Sequence, residues 1–425
     1  MKYAFVNGHI LDGTQDMQPI EGKNVLVNGT LIEAITEELP EGYEIIDLQG
    51  RWLMPGLINM HVHLAGNGST DMKQKDNAAL VRKLFSNPVT RAIVYRMVAN
   101  FAEIELNSGV TTIRTVGGFR DYDTRLREEI RKGKKNGPRI LAGNMAVSVP
   151  GGHMAGSLGL EAHNPKEAVQ LVREIAAQKP DLIKLMITGG VLDAKEKGTP
   201  GEMKMEPAII RAACEEAHRN GLIVAAHVES TEGVRAALEN GVDSIEHGAA
   251  PTEETLRLFK ERNAFLVTTL SPALPYALFD LSVSGVRDID QFNGEMVFNG
   301  VVDNAKAAIE NDIPVALGND VGCPYITQYD FWRELVYFVK YVGVTNRFAL
   351  YTATLRNAQL AGIGDITGSV EAGKEADLIV TDDNPLSDLS TLRSVRMVMA
   401  RGKLIRSPKV KRKEEVDVQL DPYLI

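Results

Sequence analysis

Two cysteines, Cys214 and Cys323, are all that 425 residues contain, so neither a disulfide framework nor a cysteine-based zinc site is expected. No apolar run is long enough to span a bilayer, and the opening MKYAFVNGHILDG has no apolar signal core. A cytoplasmic chain with no membrane partner is therefore expected. A basic excess is missing as well. The net charge of −9 argues against nucleic acid as a partner, because a phosphate-binding surface needs positive charge. With 44% hydrophobic and 24% charged residues, the composition is that of an ordinary soluble protein, and a small-molecule substrate is the expected partner.

Histidine is scarce too, and its placement is informative. Of eight histidines, four (His61, His63, His227 and His247) end or follow short apolar runs that read as buried strands: GLINMHVHL, LIVAAH and DSIEHG. His61 and His63 are one residue apart, so on an extended strand both side chains point to one face. Lys184 lies inside DLIKLMITGG, where a lysine is costly unless paired, neutralised or modified. The alternative is a strand-end lysine that reaches solvent. Asp320 closes IPVALGND, where a lone aspartate would ordinarily cap a helix. Each residue alone has a structural reading, but all six at strand ends in a repeating βα pattern point to one metal site.

The strands GLINMHV, TTIRTVGG, RILAGNM, DLIKLMI, LIVAAH, DSIEHG, AFLVTTL and IPVALGN make eight, separated by segments such as PKEAVQLVREIAAQ with helical spacing. This predicts an α/β fold, a (β/α)8 TIM barrel over residues 56–364, whose active site lies at the C-terminal ends of the strands. Short strands with glycine turns occupy residues 1–55, and DLIVTDD and VRMVMARGKLI occur in residues 365–425. Neither end can bury a sheet face alone, so the two are expected to pair as a small β-sandwich. The polar stretch from Asn67 to Pro88 and the long TLSPALPYALFDLSVSGVRDIDQFNGEM are candidate lids or surface excursions. The basic cluster opening KVKRKEEVDVQLDPYLI is expected to be solvated.

The order H-x-H, Lys, His, His, Asp resembles the amidohydrolase superfamily, and PGLINMHVHL, LIKLMITGGV, AAHVES, SIEHG, LGNDVG and the closing GSVEAGKEADLIVTDDNPL occur in that family's order. Within it, IKLMITGGV followed by PAIIRAACEEAHRNGLIVAAH is similar to the group of metal-dependent dipeptidases, prolidases and imidazolonepropionase-related proteins. The resemblance implies two divalent metals, with His61, His63 and Asp320 on one and His227 and His247 on the other. A carboxylated Lys184 would bridge them, because a carbamate is an anionic ligand where an ammonium would repel the ions. Nitrogen and carboxylate ligands favour zinc, with manganese, cobalt or iron possible.

The implied chemistry is hydrolysis of an amide-type C–N bond by a metal-bridging hydroxide, with Asp320 as proton carrier. His153 in SVPGGHMAGS matches a histidine placed in that group to bond the substrate carbonyl oxygen; otherwise it is an exposed loop residue. Arg114 either orients a substrate carboxylate or pairs with a barrel carboxylate. Dipeptidase-like relatives often carry tyrosine two residues after the fifth-strand histidine, holding the substrate's free carboxylate. This chain has Glu229 there: facing the site it would repel a carboxylate and favour a cationic or neutral group, and otherwise it points away, paired with a surface base, so the departure weakens the dipeptidase assignment without excluding it. The expected substrate is a dipeptide or N-acyl amino acid, the alternative a cyclic amide or imidazolone-like ring, and a third reading is a barrel that binds a metabolite without turnover. The resemblance also implies a homo-oligomer.

Overall fold

The apolar runs of the middle of the chain become short parallel strands, most of them completely buried. In the computed structural model, which describes residues 1–73 and 75–424, these are β1 (Leu57–Val62), β2 (Val110–Thr115), β3 (Arg139–Leu141), β4 (Leu182–Met186), β5 (Ile223–Val228), β6 (Ser244–His247), β7 (Phe265–Thr268) and β8 (Val315–Leu317). Near-continuous burial is what helices on the outer face of a parallel sheet produce. The amphipathic helices Pro165–Ala176 and Pro207–Arg219, each opened by a proline in its first turn, pack beside one another outside the sheet.

The eight strands do not share one closed ladder, as a barrel would. β1, β2 and β3 form one parallel sheet, and a second parallel sheet runs from Gly159–Glu161 through Ala146–Ser148 to β4, β5, β6, β7 and β8. The expected third strand, RILAGNM, breaks between Leu141 and Ala146. Asn144 there adopts a left-handed φ of 56°, and its side chain accepts from Thr124 N and donates to Gln178 Oε1. A residue in that conformation cannot continue a ladder. At the other junction β8 approaches β1 through an isolated parallel bridge, Val62 to Val321, with Asp320 N donating to His61 O and His63 N donating to Val321 O at 3.0 Å each. Gly318 permits that approach, since a Cβ there would lie 2.5 Å from the His61 backbone nitrogen. Asn357 clamps the same junction from behind: Nδ2 donates to Ile58 O and Leu317 O, and Oδ1 accepts from Leu317 N.

Both chain ends build a β unit. Residues 2–6, 24–28, 31–36 and 44–47 form a four-stranded sheet; residues 9–10 and 52–55 join 378–381, 397–400 and 403–405 in a five-stranded one. Tyr3, Phe5, Val25 and Val27 of the first sheet share a buried cluster with Leu53, Leu378, Val380 and Met399 of the second. The second sheet contains strands of both ends, so neither end completes it alone.

The expected lids and tail are more structured than their polarity suggested. The Asn67–Pro88 stretch contains a helix, Asn77–Leu84, and the segment after β7 contains three, Leu274–Leu278, Leu281–Ser284 and Asp288–Glu310. The basic cluster is not merely solvated. Arg412 reaches Asp417 at 2.9 Å and Asp330 at 3.4 Å, Lys413 Nζ donates to Asn67 O at 2.6 Å, and the buried Arg333 pairs with Asp417 and Asp421 at 2.7 Å each. Tyr423 Oη donates to Leu278 O. The tail thereby straps the loops that follow β1, β7 and β8, and Arg333 supplies the buried charge that the acidic tail satisfies.

Asn357→Ala should leave Leu317 N, Leu317 O and Ile58 O without that partner at a buried site and destabilise the protein by about 3 kcal/mol. Urea denaturation of the variant against the parent reads this directly, and an unchanged midpoint would remove Asn357 as the clamp.

Candidate metal centre

The six expected ligands converge at the C-terminal ends of β1, β4, β5, β6 and β8. His61 and His63 share a face, as their spacing predicts, and both Nε2 atoms turn to Asp320 Oδ1, at 3.5 and 3.4 Å. His61 and His247 have ring centroids 4.8 Å apart, and His227 and His247 4.7 Å. Ligand atoms of His61, His247 and Asp320 lie within 4.8 Å of one another, as do those of His227, Glu229 and His247. His247 thus belongs to both groups, and Glu229 joins the second. Two of these residues hold unusual backbone: His247 has φ 70° and Asp320 φ 55°, a left-handed conformation that costs of order 1 kcal/mol or more for a residue with a Cβ and clusters at functional sites.

The rings are aimed by their second nitrogens. His61 Nδ1 donates to Glu246 Oε2 at 2.7 Å and His63 Nδ1 donates to Gly117 O at 2.7 Å, while His247 Nδ1 bonds Thr269 Oγ1 at 2.7 Å. His227 makes only a long contact, Nε2 to Gly189 O at 3.4 Å. Burial holds the pKa of all four imidazoles below 6.5, well below for His61, His227 and His247. They are neutral at pH 7 and offer lone pairs.

Four buried atoms at the centre, His61 Nε2, Lys184 Nζ, Asp320 Oδ1 and Glu229 Oε2, have no hydrogen-bond partner. Unpaired buried polar atoms cost about 1–3 kcal/mol each, and here they are nitrogen and oxygen donors facing one region. That donor set fits divalent cations. Burial also lowers the Lys184 pKa from 10.5 to about 8, which increases the neutral amine able to add carbon dioxide.

Arg114 takes the second of its two expected roles and is corrected as a substrate contact. It is 1% exposed; Nε donates to Met60 O, an Nη to Ser244 Oγ and the other Nη to Glu246 Oε1 at 2.6 Å. Each of its three nitrogens is engaged within the buried interior, and Arg114 balances the carboxylate that orients His61. His153 does enter the site. Its ring stacks on that of His227 at 4.2 Å and 6°, and Nδ1 donates to Asp193 Oδ2 at 2.6 Å. Asp193 also accepts from Gly190 N.

Glu229 faces inward. One carboxylate oxygen, Oε2, is buried without a partner, and burial first, then Asp320 and Asp193, raise its pKa to about 8. Glu246 and Asp193 were not anticipated from the sequence. Glu246 had one weak signal, an acid preceding His247 inside a buried strand; Asp193 sits in a loop with none.

The sequence profile of the amidohydrolase family matches residues 52–405. A candidate prolidase from Bifidobacterium longum has a crystal structure that superposes with TM-score 0.87 at 35% identity, covering 99% of this chain and 98% of that one. A Xaa-Pro dipeptidase with bound methionine gives TM-score 0.83 at 28% identity over 96% of this chain and 100% of its own. The ochratoxinase of Aspergillus niger is 26% identical over 394 residues, 84% of this chain and 76% of that protein.

Glu246→Gln should strand the Arg114 charge in the interior and destabilise by about 3–5 kcal/mol, whereas Arg114→Met combined with Glu246→Gln should recover much of the loss. Thermal unfolding of the two variants checks this; strict additivity would contradict the pairing.

Proposed function

Because the chain belongs to the amidohydrolase family and is a hydrolase of C–N bonds, we propose that it cleaves the amide bond of a dipeptide or N-acyl amino acid at a binuclear metal centre. His61, His63 and Asp320 would hold one divalent ion, His227 and His247 the other, and a carboxylated Lys184 would be shared between them. We read the two parallel sheets as one (β/α)8 barrel opened at the Asn144 break. The single observation that carries the metal assignment is the set of unpartnered buried atoms on His61, Lys184 and Asp320. Support for a dipeptide-type substrate comes from the names of the 35% and 28% identical relatives.

When bound, the two ions, zinc first among those this donor set suits, would acidify a water and polarise the scissile carbonyl. Asp320 is the proton carrier. Its carboxylate takes a proton from the attacking water as the new C–O bond forms, and returns one to the departing nitrogen as the C–N bond breaks. His153 is the donor to the substrate carbonyl oxygen. The Asp193 carboxylate bonded to its Nδ1 orients the ring, and an N–H directed at that oxygen stabilises the negative charge developing there. Glu246 and Arg114 keep the His61 ring aimed without touching substrate.

Lys184→Ala should lose most bound metal and activity, with partial rescue by a short carboxylate in the buffer, since a free carboxylate can replace the carbamate as a two-oxygen bridge. Metal content by elemental analysis and turnover of dipeptides, N-acyl amino acids and small cyclic amides test this together. Full metal content in Lys184→Ala would rule out the bridge, and turnover confined to cyclic amides would replace the dipeptide substrate.

A further inference from the structure

β7 ends at Thr268, whose carbonyl accepts from Gly318 N at 3.2 Å. Beyond it the chain leaves the ladder while still inside the protein, since Thr269, Leu270 and Ser271 are at most 3% exposed. Backbone N–H groups buried past a strand end have no ladder partner and must be satisfied from elsewhere. Glu334 satisfies them. It is fully buried and comes from the helix Phe331–Tyr337, 64 residues beyond Leu270. Leu270 N donates to its Oε1 at 2.6 Å and Ser271 N to its Oε2 at 2.9 Å, and the Ser271 hydroxyl donates to Oε2 as well.

Two consecutive N–H groups on the two oxygens of one carboxyl group hold two consecutive peptide planes in one geometry. The first of those planes contains the Thr269 carbonyl, so the contact fixes the backbone on which the Thr269 side chain stands. Thr269 Oγ1 is the atom that meets His247 Nδ1 at 2.7 Å. A ring that donates from Nδ1 keeps its Nε2 lone pair for a ligand. The helix that carries Glu334 is itself pinned: Arg333, the preceding residue, pairs with Asp417 and Asp421 of the tail.

We propose that Glu334 is a positioning residue of the metal centre. It holds the turn after β7 and, through Thr269, sets the direction of the His247 ring and the affinity of the ion that ring holds. For the ion, this role rests on the binuclear reading above; for the ring, it rests on the hydrogen bonds. Glu246 bonds the His61 ring directly, whereas Glu334 acts at one remove, on the backbone of the residue that bonds the His247 ring.

Four variants of the full chain test this: Glu334→Gln, Thr269→Val, Thr269→Ser and the Glu334→Gln/Thr269→Val double. In Glu334→Gln an amide nitrogen replaces one carboxylate oxygen, so one of the two backbone N–H groups faces a donor. Zinc affinity is read by competition with a chelating dye, and the His247 ring N–H is followed in the metal-free protein by NMR with isotope-labelled histidine, assigned with His247→Gln. Thr269→Val should weaken one ion by about tenfold or more and Thr269→Ser should restore it, which identifies the ion that His247 holds. Glu334→Gln should weaken the same ion by about tenfold and lose the ordered Nδ1–H signal. In the Thr269→Val background it should add less than about threefold, because both changes act through one bond. A residue that only supports the fold would lower the unfolding midpoint and leave both readouts of the folded protein unchanged. That result overturns the positioning role, as does a further loss of about tenfold on top of Thr269→Val. If Glu334→Gln does not fold, Glu334→Asp takes its place, with a carboxylate one methylene short and a loss expected in the same direction. Unchanged affinity in Thr269→Val overturns the route through Thr269 in either case. A parent that binds no zinc overturns the binuclear reading, and the His247 ring signal then decides the positioning role alone.

Discussion

Everything at this centre depends on a division of labour between the two nitrogens of each imidazole. A buried histidine ring with both nitrogens unsatisfied is expensive, and a ring with both satisfied has nothing left to offer a ligand. Here Glu246, the Gly117 carbonyl and Thr269 engage Nδ1 of His61, His63 and His247, which fixes each ring and leaves the opposite nitrogen directed inward. His227 lacks such a strong anchor and is instead held by stacking between its neighbours, flat against His153 and edge-on to His247. The rings are pre-aimed, so little ordering is left for a bound ion to impose.

The cost of that arrangement appears elsewhere in the fold. Glu246, which holds His61, has no exposed surface, and a carboxylate buried there is matched by a buried cation, Arg114. The left-handed backbone of Asp320 requires rigid surroundings, supplied by the β1–β8 junction and the Asn357 clamp behind it. The C-terminal strap, through Arg333, Arg412 and Lys413, holds the loops that rim the same end of the strands. These groups lie far apart in sequence and serve one end of the structure.

Much of the centre was legible because a polar residue ending an apolar run is conspicuous: His61, His63, Lys184, His227, His247 and Asp320 all carry that signature. Glu246 and Asp193 were not, because their importance lies in partners 185 and 40 residues away, and a pairwise contact across a sheet leaves no local pattern. Arg114 was legible as charged and buried, but the choice between substrate and Glu246 needed coordinates. The eight strands were readable from their runs. The interruption after Leu141 was not, although Gly143-Asn144 is a turn-forming pair, since apolar residues on both sides masked it. The tail misled for a related reason: a run of Lys and Arg reads as solvated until the buried Asp330 and the acidic residues that follow are found opposite it.

The measurement that tests the account most directly is the number of divalent metal ions per chain, by elemental analysis of protein produced with zinc or manganese and bicarbonate. Two ions per chain is the result expected from a centre with unpartnered donors on His61, Lys184 and Asp320, where His61, His63 and Asp320 would hold one ion and His227 and His247 the other. One ion would contradict the shared Lys184, and none would contradict the metal centre itself.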